Sequence, residues 1–237
     1  MSRNFIVIDT ETAPTIANKD YPVAATSRVY DLGYIVANRN GEILEKRSFI
    51  ISETFFKDEW MNSAYYAEKL PQYYAGMGTE WQVTSFLAAY RQFRADVERY
   101  RVKDVWAFNA RFDDSVLNAT IRAFSNGFKQ TFIPEKCQVR DIWDFAGSTI
   151  CNTKKFVEWC FENGKLTAKG NPSTSAETVY SYLINKLDFT ERHTALNDCE
   201  IELAILLACF KRKQKARHSK GQGWRDAYKI AQEVKGA

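Results

Sequence analysis

The sequence predicts a mixed α/β fold, in which a single sheet is flanked by helices. Three strand-like segments come first, and helices then alternate with strands along the rest of the chain. Hairpin-connected strands followed by such alternation indicate a mixed sheet with helices packed on it. The chain has 237 residues, which is enough to bury a large core in one domain or in one domain with an extension.

The first three elements are strands connected by short segments. Apolar runs predict these strands at residues 5–9, 29–37 and 42–51. The link at 38–41, with the sequence NRNG, has the asparagine and glycine that are typical of a hairpin turn. Residues 52–80 are polar and aromatic, and Pro71, Gly76 and Gly78 indicate a loop after a short helix. This segment leaves room for an insertion into the domain.

Helices and strands alternate in the second part of the chain. Apolar residues at helical spacing predict a helix at 81–100, and the run DVWAF predicts a buried strand at 104–108. The later predicted elements are a helix at 111–124, a strand near 138–143, and helices near 154–162, 176–186 and 195–212. We therefore assign residues 1–210 to one domain and residues 211–237 to a basic C-terminal extension.

Charge and cysteine content narrow the class of protein. The net charge of +4 is too small to indicate a nucleic-acid partner, but residues 211–220 contain six Lys or Arg and no acid. This run could follow a phosphate backbone or could be the solvated end of a helix. Five cysteines without a C-x-x-C pair predict free thiols in a reducing compartment. Because no apolar run could span a bilayer and no signal peptide is recognisable, we expect a cytoplasmic protein without membrane contact.

Two carboxylates, Asp9 and Glu11, stand at the end of the first predicted strand, in the stretch FIVIDTETAP. Side chains alternate between the two faces of a strand, so both acids point to the same side. A solvated strand end would explain them, and so would a shared binding site.

Two further acids lie on apolar helix faces. At about 100° per residue, Asp113 falls on the apolar face of its helix, whereas Asp114 falls on the polar face. Asn109 is a candidate N-cap of this helix, which places Asp113 in the first turn, where an acid also suits the helix dipole. Asp198 lies in line with the apolar residues of the last strong helix. A buried, ionised carboxylate requires a cation or a hydrogen-bond donor, so Asp198 should have a partner.

His193 lies five residues before Asp198. In a continuous helix the two would not share a face, but with Thr194 as the N-cap His193 falls in the preceding loop and could lie over Asp198. A purely structural histidine is the alternative. The other histidine, His218, belongs to the basic run.

If the four acids converge at strand ends and helix starts, their mutual repulsion would raise their pKa values unless cations neutralise them. Two Mg²⁺ ions prefer oxygen ligands and carry the matching charge, and we expect Mn²⁺ to substitute for them. A metal pair of this kind stabilises the attacking and leaving oxygens in phosphodiester cleavage. We expect no zinc, because the chain has no cysteine and histidine cluster of suitable spacing.

The stretches FIVIDTET, AFNARFD and HTALND, in this order, resemble the three motifs of the DEDDh family of 3′→5′ exonucleases. This family includes proofreading exonucleases, oligoribonuclease and ribonuclease T. The match extends from about residue 5 to about residue 210. It implies a ribonuclease-H-like fold with a mixed, five-stranded sheet flanked by helices.

The resemblance also implies roles for these residues. Asp9, Glu11, Asp113 and Asp198 would be the metal ligands, and His193 would be the general base. Asp9 would bridge two metal ions, with Glu11 and Asp198 completing one site and Asp113 helping to hold the other. The implied reaction releases nucleoside 5′-monophosphates from the 3′ end of single-stranded nucleic acid, with DNA as the favoured substrate.

Substrate contacts are expected beside the motifs, at Thr10, Thr12, Ala13, Asn109 and Phe112. Two departures from the family pattern affect this expectation. Phe108 stands where many relatives have histidine, and Thr12-Ala13-Pro14 stands where glycine or a second threonine is frequent.

Residues 55–81 contain eight aromatic residues that could stack on bases or could pack the insertion onto the sheet: Phe55, Phe56, Trp60, Tyr65, Tyr66, Tyr73, Tyr74 and Trp81. Two other functions are compatible with the motifs, namely RNA trimming and nucleic-acid binding by a catalytically inactive module. The motifs do not distinguish DNA from RNA, because they contact metal and phosphate rather than the 2′-hydroxyl. Expected partners are single-stranded DNA or RNA 3′ ends, and the sequence is also compatible with a polymerase or replication partner and with a homodimer.

Overall fold

The computed structural model describes residues 3–15, 23–212 and 224–235. Its single sheet has the strand order β4-β3-β2-β1-β5-β6. The strands are β1 (Asn4–Pro14), β2 (Ser27–Asn38), β3 (Ile43–Ile51), β4 (Gln82–Thr84), β5 (Asp104–Ala107) and β6 (Gln138–Asp141). β2 is antiparallel to β1 and β3, whereas β5 is parallel to both β1 and β6, and β4 is parallel to β3. The predicted mixed α/β fold is therefore confirmed.

The sheet has six strands where the sequence analysis expected five. The additional strand, β4, pairs with the end of β3 and occupies residues that were assigned to the start of a helix. The Ser85 side chain accepts the Ala88 N–H at 3.2 Å and caps the helix, which consequently begins at Phe86. Val83 fits the helical periodicity, which is why the pattern did not separate the strand from the helix.

Helices cover both faces of the sheet. They are α1 (Val23–Thr26), α2 (Ser52–Phe55), α3 (Asp58–Met61), α4 (Leu70–Gly76), α5 (Phe86–Arg99), α6 (Ala110–Phe124), α7 (Ile142–Ala146), α8 (Lys154–Glu162), α9 (Ala176–Ile184), α10 (Ala195–Arg212) and α11 (Trp224–Lys235). A 3-10 turn at Ala67–Lys69 precedes α4, and a π-helical stretch at Gly147–Cys151 follows α7. Buried residues of α7 to α11 pack on one face of the sheet, and those of α5 and α6 pack on the other. None of the described helices is long and apolar enough to span a bilayer.

The segment predicted as an insertion forms a third apolar cluster on the sheet. Phe55, Tyr73 and Trp81 are buried in this cluster against Tyr30 and Ile50 of the sheet. Three aromatic residues of the segment remain largely exposed: Phe56, Tyr65 and Tyr74. The insertion therefore uses part of its aromatic content for packing.

The end of the chain contributes to the core. Ala227 and Ala231 of α11 are buried in the apolar cluster that also contains α8 and α10. Most of the basic run, including His218, lies outside the described residues, so the domain boundary at residue 210 stays a prediction. All five cysteines are free, in agreement with the prediction, and all five are buried.

Candidate active site

The carboxyl end of β1 carries Asp9 and Glu11 on the face of the sheet that packs against α10. Both acids continue the row of alternate β1 side chains that lies on this face. Gly33 lies opposite Asp9 on β2, where a Cβ would come within 2.3 Å of the Leu196 backbone nitrogen. Glycine at this position therefore allows the start of α10 to lie directly on the sheet, beside the acids.

α10 places Asp198 against the two acids of β1. Asp9, Glu11 and Asp198 each offer a carboxylate oxygen, and these oxygens lie within 4.8 Å of one another. The Asp198 N–H donates to the Thr194 carbonyl at 3.0 Å, which closes the first turn of α10. The structure thus brings together the first and the last of the predicted motifs.

Asp31 on β2 fixes the start of α10. Its Oδ2 atom accepts a hydrogen bond from the Ala195 N–H at 3.0 Å and another from the Tyr73 hydroxyl at 2.8 Å. Asp31 is fully buried, and burial raises the pKa of its carboxyl to about 6, although these two donors oppose the shift. Asp31 therefore links the aromatic insertion to the helix that carries Asp198.

Asp113 lies beside Asp9, one turn into α6. It is buried, and its Oδ1 atom accepts a hydrogen bond from the Thr10 hydroxyl at 2.8 Å. After burial, the charge of Asp113 is the largest cause that raises the pKa of Asp9. All four predicted acids therefore converge on one site. Thr10 positions Asp113 through this hydrogen bond, and its expected contact with substrate stays a prediction.

Asn109 occupies the N-cap position of α6, as predicted, although its side chain does not form the cap. The residue has a left-handed backbone conformation, with φ of 61°, and its side chain makes no capping hydrogen bond. Asparagine tolerates this conformation better than most residues do, and it turns the chain from β5 into α6. The Asn109 side chain is exposed and lines two cavities beside the acids.

The other residues predicted to bind substrate differ in exposure. Thr12 and Phe112 are partly exposed, and Phe112 packs against the apolar cluster beneath α5 and α6. Ala13 is fully buried under the insertion, so its side chain is not accessible.

His193 lies in the loop before α10, as the sequence analysis predicted. Its backbone is left-handed, with φ of 49°, and its ring stacks on Tyr66 with 4.5 Å between ring centroids. The Nδ1 atom lies 3.6 Å from Oε2 of Glu191. Burial, followed by the charge of Lys69, lowers the pKa of His193, which favours the neutral imidazole at pH 7.

The insertion contributes two side chains that the sequence analysis did not assign to the site. The Lys69 ammonium donates to the Arg192 carbonyl and lies over the Tyr66 ring at 4.6 Å from its centroid. The charge of Lys69 also lowers the pKa of both Glu11 and Asp198. No local pattern could reveal this arrangement, because it depends on how the insertion packs.

The acids of the site have raised pKa values because they are buried together. Burial is the largest cause in each case, followed mainly by neighbouring carboxylates. The pKa of Asp113 is raised to about 7, that of Asp198 to about 8 and that of Glu11 to about 9, while that of Asp9 lies well above its ordinary value. The cluster therefore holds its charges only at considerable free-energy cost unless cations neutralise them.

Glu202 is a fifth acid of the site that the sequence analysis missed. It lies one turn after Asp198 on α10 and is only 3% exposed. Burial and the charges of Asp113 and Asp198 raise the pKa of Glu202, whereas the Phe108 N–H opposes this rise. The signal was present in the sequence, because residues four apart lie on the same face of a helix.

The donor set fits hard divalent cations. Oδ1 of Asp198 and Oε2 of Glu202 are buried and have no hydrogen-bond partner among the described residues. Carboxylate oxygens of this kind are the ligands that Mg²⁺ prefers. A second group, formed by Glu177, Glu191 and His193, places nitrogen and oxygen atoms within 4.8 Å of one another. Zinc accepts such mixed ligands, so the expected absence of zinc stays a prediction.

No protein-family model matches the chain, and no curated protein matches it. Solved exonuclease structures do match it. E. coli exonuclease I in complex with a dT13 oligonucleotide aligns with 90% of the chain at a TM-score of 0.58 and 15% identity. The zinc-bound form of an E. coli exonuclease I–ssDNA complex aligns with 91% of the chain at a TM-score of 0.56 and 16% identity. A complex of exonuclease I with SSB-Ct aligns with 90% of the chain at a TM-score of 0.55 and 15% identity.

Each of these matches covers 42% of the exonuclease I chain, so the present chain spans about two fifths of the length of the proteins it matches. At this level of identity the similarity concerns the fold. The chain therefore has the ribonuclease-H-like fold of these exonucleases, a mixed sheet flanked by helices, with five acids gathered at one edge.

Proposed function

We propose that this chain is a metal-dependent 3′→5′ exonuclease of the DEDDh type that hydrolyses single-stranded nucleic acid, DNA in particular, to nucleoside 5′-monophosphates. One observation carries the proposal, namely the convergence of Asp9, Glu11 and Asp198 within 4.8 Å, with Asp113 beside them. The matched exonuclease I structures that hold oligonucleotides support single-stranded DNA as the substrate. The exonuclease I complex with SSB-Ct supports a protein partner, for which a replication protein is our candidate.

In this proposal, Asp9, Glu11, Asp113 and Asp198 hold two divalent ions, Mg²⁺ or Mn²⁺. Such ions, when bound, polarise the scissile phosphate and lower the pKa of the attacking water. The buried carboxylates supply four negative charges that oppose the charge of two divalent ions. Thr10 keeps Asp113 in place through its 2.8 Å hydrogen bond.

His193 is the general base of the proposed reaction. Its lowered pKa favours a neutral ring, which can accept a proton from the attacking water. The Glu191 carboxylate, 3.6 Å from Nδ1, favours the tautomer with its proton on that atom and leaves the Nε2 lone pair free. The stacked Tyr66 ring limits rotation of the imidazole.

Digestion of end-labelled substrates tests the proposal. The purified chain is incubated with 5′-labelled single-stranded DNA, duplex DNA and RNA, in Mg²⁺, in Mn²⁺ or in EDTA. We expect a descending ladder from single-stranded DNA that requires the divalent ion. Faster digestion of RNA would replace DNA as the substrate, and absence of digestion under all conditions would leave a binding module of the same fold.

Two neighbouring acids of α6 provide a matched pair of variants for this assay. Asp113→Asn should abolish the ladder, because it removes a buried carboxylate beside Asp9. Asp114→Asn should leave it intact, because Asp114 accepts a hydrogen bond from the Asn118 side chain on the polar side of the helix. Equal activity of the two variants would contradict the assignment of the site.

A further inference from the structure

A cavity of about 580 Å³ with aromatic walls lies beside the acid cluster. This volume is within the range of about 300–1,000 Å³ that is usual for small-molecule sites. Its walls include aromatic, hydroxyl and basic side chains, among them Phe108, Trp143, Thr174, Lys169, Trp224 and Tyr228.

The topology of the sheet places this cavity at the same edge as the acid cluster. β1, β5 and β6 are parallel, so their carboxyl ends lie at the same edge of the sheet. Asp9 and Glu11 lie in the carboxyl-terminal part of β1, at and beyond the level at which β5 ends, whereas Phe108 and Asn109 follow β5, and Trp143 follows β6. A chain whose end is bound at the acids can therefore continue along this edge into the cavity.

The aromatic rings of the cavity are held in fixed orientations. The Phe108 and Trp143 rings are nearly parallel, at 26°, with 6.2 Å between centroids. The Trp143 Nε1–H donates to the Thr174 hydroxyl at 2.9 Å. On the α11 side, Trp224 packs against Tyr228 with 4.9 Å between centroids. Rigid aromatic faces of this kind stack on bases of any sequence.

The charge of the cavity suits a polyanion. Lys169 is exposed at its wall, and the Arg225 guanidinium lies 5.7 Å from the centroid of the Trp224 ring. Lysine and arginine beside aromatic rings form the combination that single-stranded nucleic-acid sites use for phosphate and base together.

We propose that this cavity binds the bases of the nucleotides that precede the 3′-terminal nucleotide of a single-stranded nucleic acid. The inference rests on the exonuclease function proposed above and adds to it a second contact region, away from the metal ligands. Bases of a duplex are paired and stacked on one another, so the cavity selects single strands.

The first test measures binding without catalysis. A fluorescent oligonucleotide, either DNA or RNA, is titrated with the Asp198→Asn variant and its anisotropy is followed. Adding Trp224→Ala should weaken binding of the single strand about tenfold, and Trp224→Phe should restore most of the loss because it restores a ring. Lys169→Ala should weaken binding and reduce its salt dependence by about one charge.

Phe128→Ala is the matched control, because Phe128 is an aromatic residue that is 88% exposed and does not line the cavity. It should leave the affinity unchanged. Trp143→Ala should have an effect at least as large as Trp224→Ala, and thermal unfolding of each variant identifies any loss of fold. Unchanged affinity of both Trp224→Ala and Lys169→Ala would overturn the inference.

The second test separates the cavity from the catalytic centre. A thymidine 5′-monophosphate p-nitrophenyl ester has one nucleoside and cannot extend into the cavity. Trp224→Ala should hydrolyse this ester at the wild-type rate, whereas its KM for an oligonucleotide should rise about tenfold with little change in kcat. An equal loss on both substrates would overturn a base-binding role.

The two proposals fail in different ways. If the unaltered chain hydrolyses neither substrate with any divalent metal ion, the proposed exonuclease function is wrong. Loss of oligonucleotide binding in Trp224→Ala would still support the cavity as a nucleic-acid site in that case.

Discussion

Buried acids lie at both ends of the central strands, but their surroundings differ. At the amino end, Asp104 accepts a hydrogen bond from Arg140 Nε at 2.8 Å and lies 3.1 Å from Arg3 Nε. At the carboxyl end, the charged neighbours that raise the pKa of Asp9 are all carboxylates. The acid at the amino end is paired with arginine side chains, whereas the acids at the carboxyl end lie mainly beside other acids, which repel them.

This difference distinguishes an acid that supports the fold from the acids that we propose to hold metal ions. Asp96 belongs with Asp104, since it is buried and accepts hydrogen bonds from Tyr34, Arg47 and Gln92. A buried carboxylate with such partners is compensated within the fold. A cluster of ionised carboxylates without such hydrogen-bond donors and arginines destabilises the fold, and its charges are compensated only when cations bind.

The largest expected effect comes from neutralising an acid at the carboxyl end. Asp9→Asn should lower the rate of metal-dependent hydrolysis at least a thousandfold, or about 4 kcal/mol, because Asp9 would contact both ions. Its melting temperature in EDTA should not fall, because one of several repelling charges is removed. Initial rates on single-stranded DNA and thermal unfolding measure the two effects. A rate within tenfold of the unaltered protein would contradict the assignment.

The pH dependence of stability should also separate the two ends. Glu11, Asp113 and Asp198 have pKa values raised to about 9, 7 and 8, so without metal the folded chain binds more protons than the unfolded chain above about pH 4. Their stabilising contribution is complete below the unfolded pKa and is lost as pH rises through the folded values. In EDTA, the free energy of unfolding should fall by several kcal/mol between pH 5 and pH 9.

Denaturant unfolding at several pH values measures this decrease. Added Mg²⁺ should make the free energy of unfolding fall less steeply with pH, because ions that bind the folded chain stabilise its ionised carboxylates. A free energy of unfolding that rises with pH in EDTA would show that the acids are compensated by some other group.

The paired acid at the amino end should behave in the opposite way. Asp104→Asn should lower the free energy of unfolding by about 1–3 kcal/mol, because it removes the charge that two arginines share. Both arginines are partly exposed and can be hydrated, which limits the loss. Hydrolysis per folded molecule should remain unchanged. A selective loss of activity without loss of stability would remove the distinction between the two ends.

The smallest expected effect concerns Glu202. Glu202→Gln keeps the shape of the side chain but removes a charge, so Mn²⁺ affinity measured by calorimetry should fall about tenfold, or about 1.4 kcal/mol. Glu200→Gln is the matched control, because Glu200 is exposed and paired with Lys46 at 2.6 Å. If both variants bind Mn²⁺ equally well, Glu202 belongs to the packing of α10 and not to the metal site.

The sequence was informative where local geometry decides the outcome. Alternation along β1 placed Asp9 and Glu11 on one face, and helical periodicity placed Asp113 and Asp198 on buried faces. These are consequences of strand and helix geometry, which the chain carries wherever the element lies. The same rule applies to Glu202, which lies four residues after Asp198 and therefore on the same face of α10.

Contacts between distant segments were not predictable in this way. Three features combine residues from separate parts of the chain. They are the stacking of Tyr66 on His193, the approach of Lys69 to the acids, and the aromatic cavity. The pairing of β4 with β3 likewise depends on where the end of β3 lies in the sheet.

The amino-acid sequence by itself therefore determined most of the strands and helices in their order, apart from β4, and the identity of four acids that share a site. Only the tertiary structure decided which acids are paired with arginine, which lie together without such a partner, and which aromatic rings border them. The reason is physical: periodicity assigns a side chain to a face of its own element, whereas the charge and dielectric environment around that side chain depend on the elements packed against it.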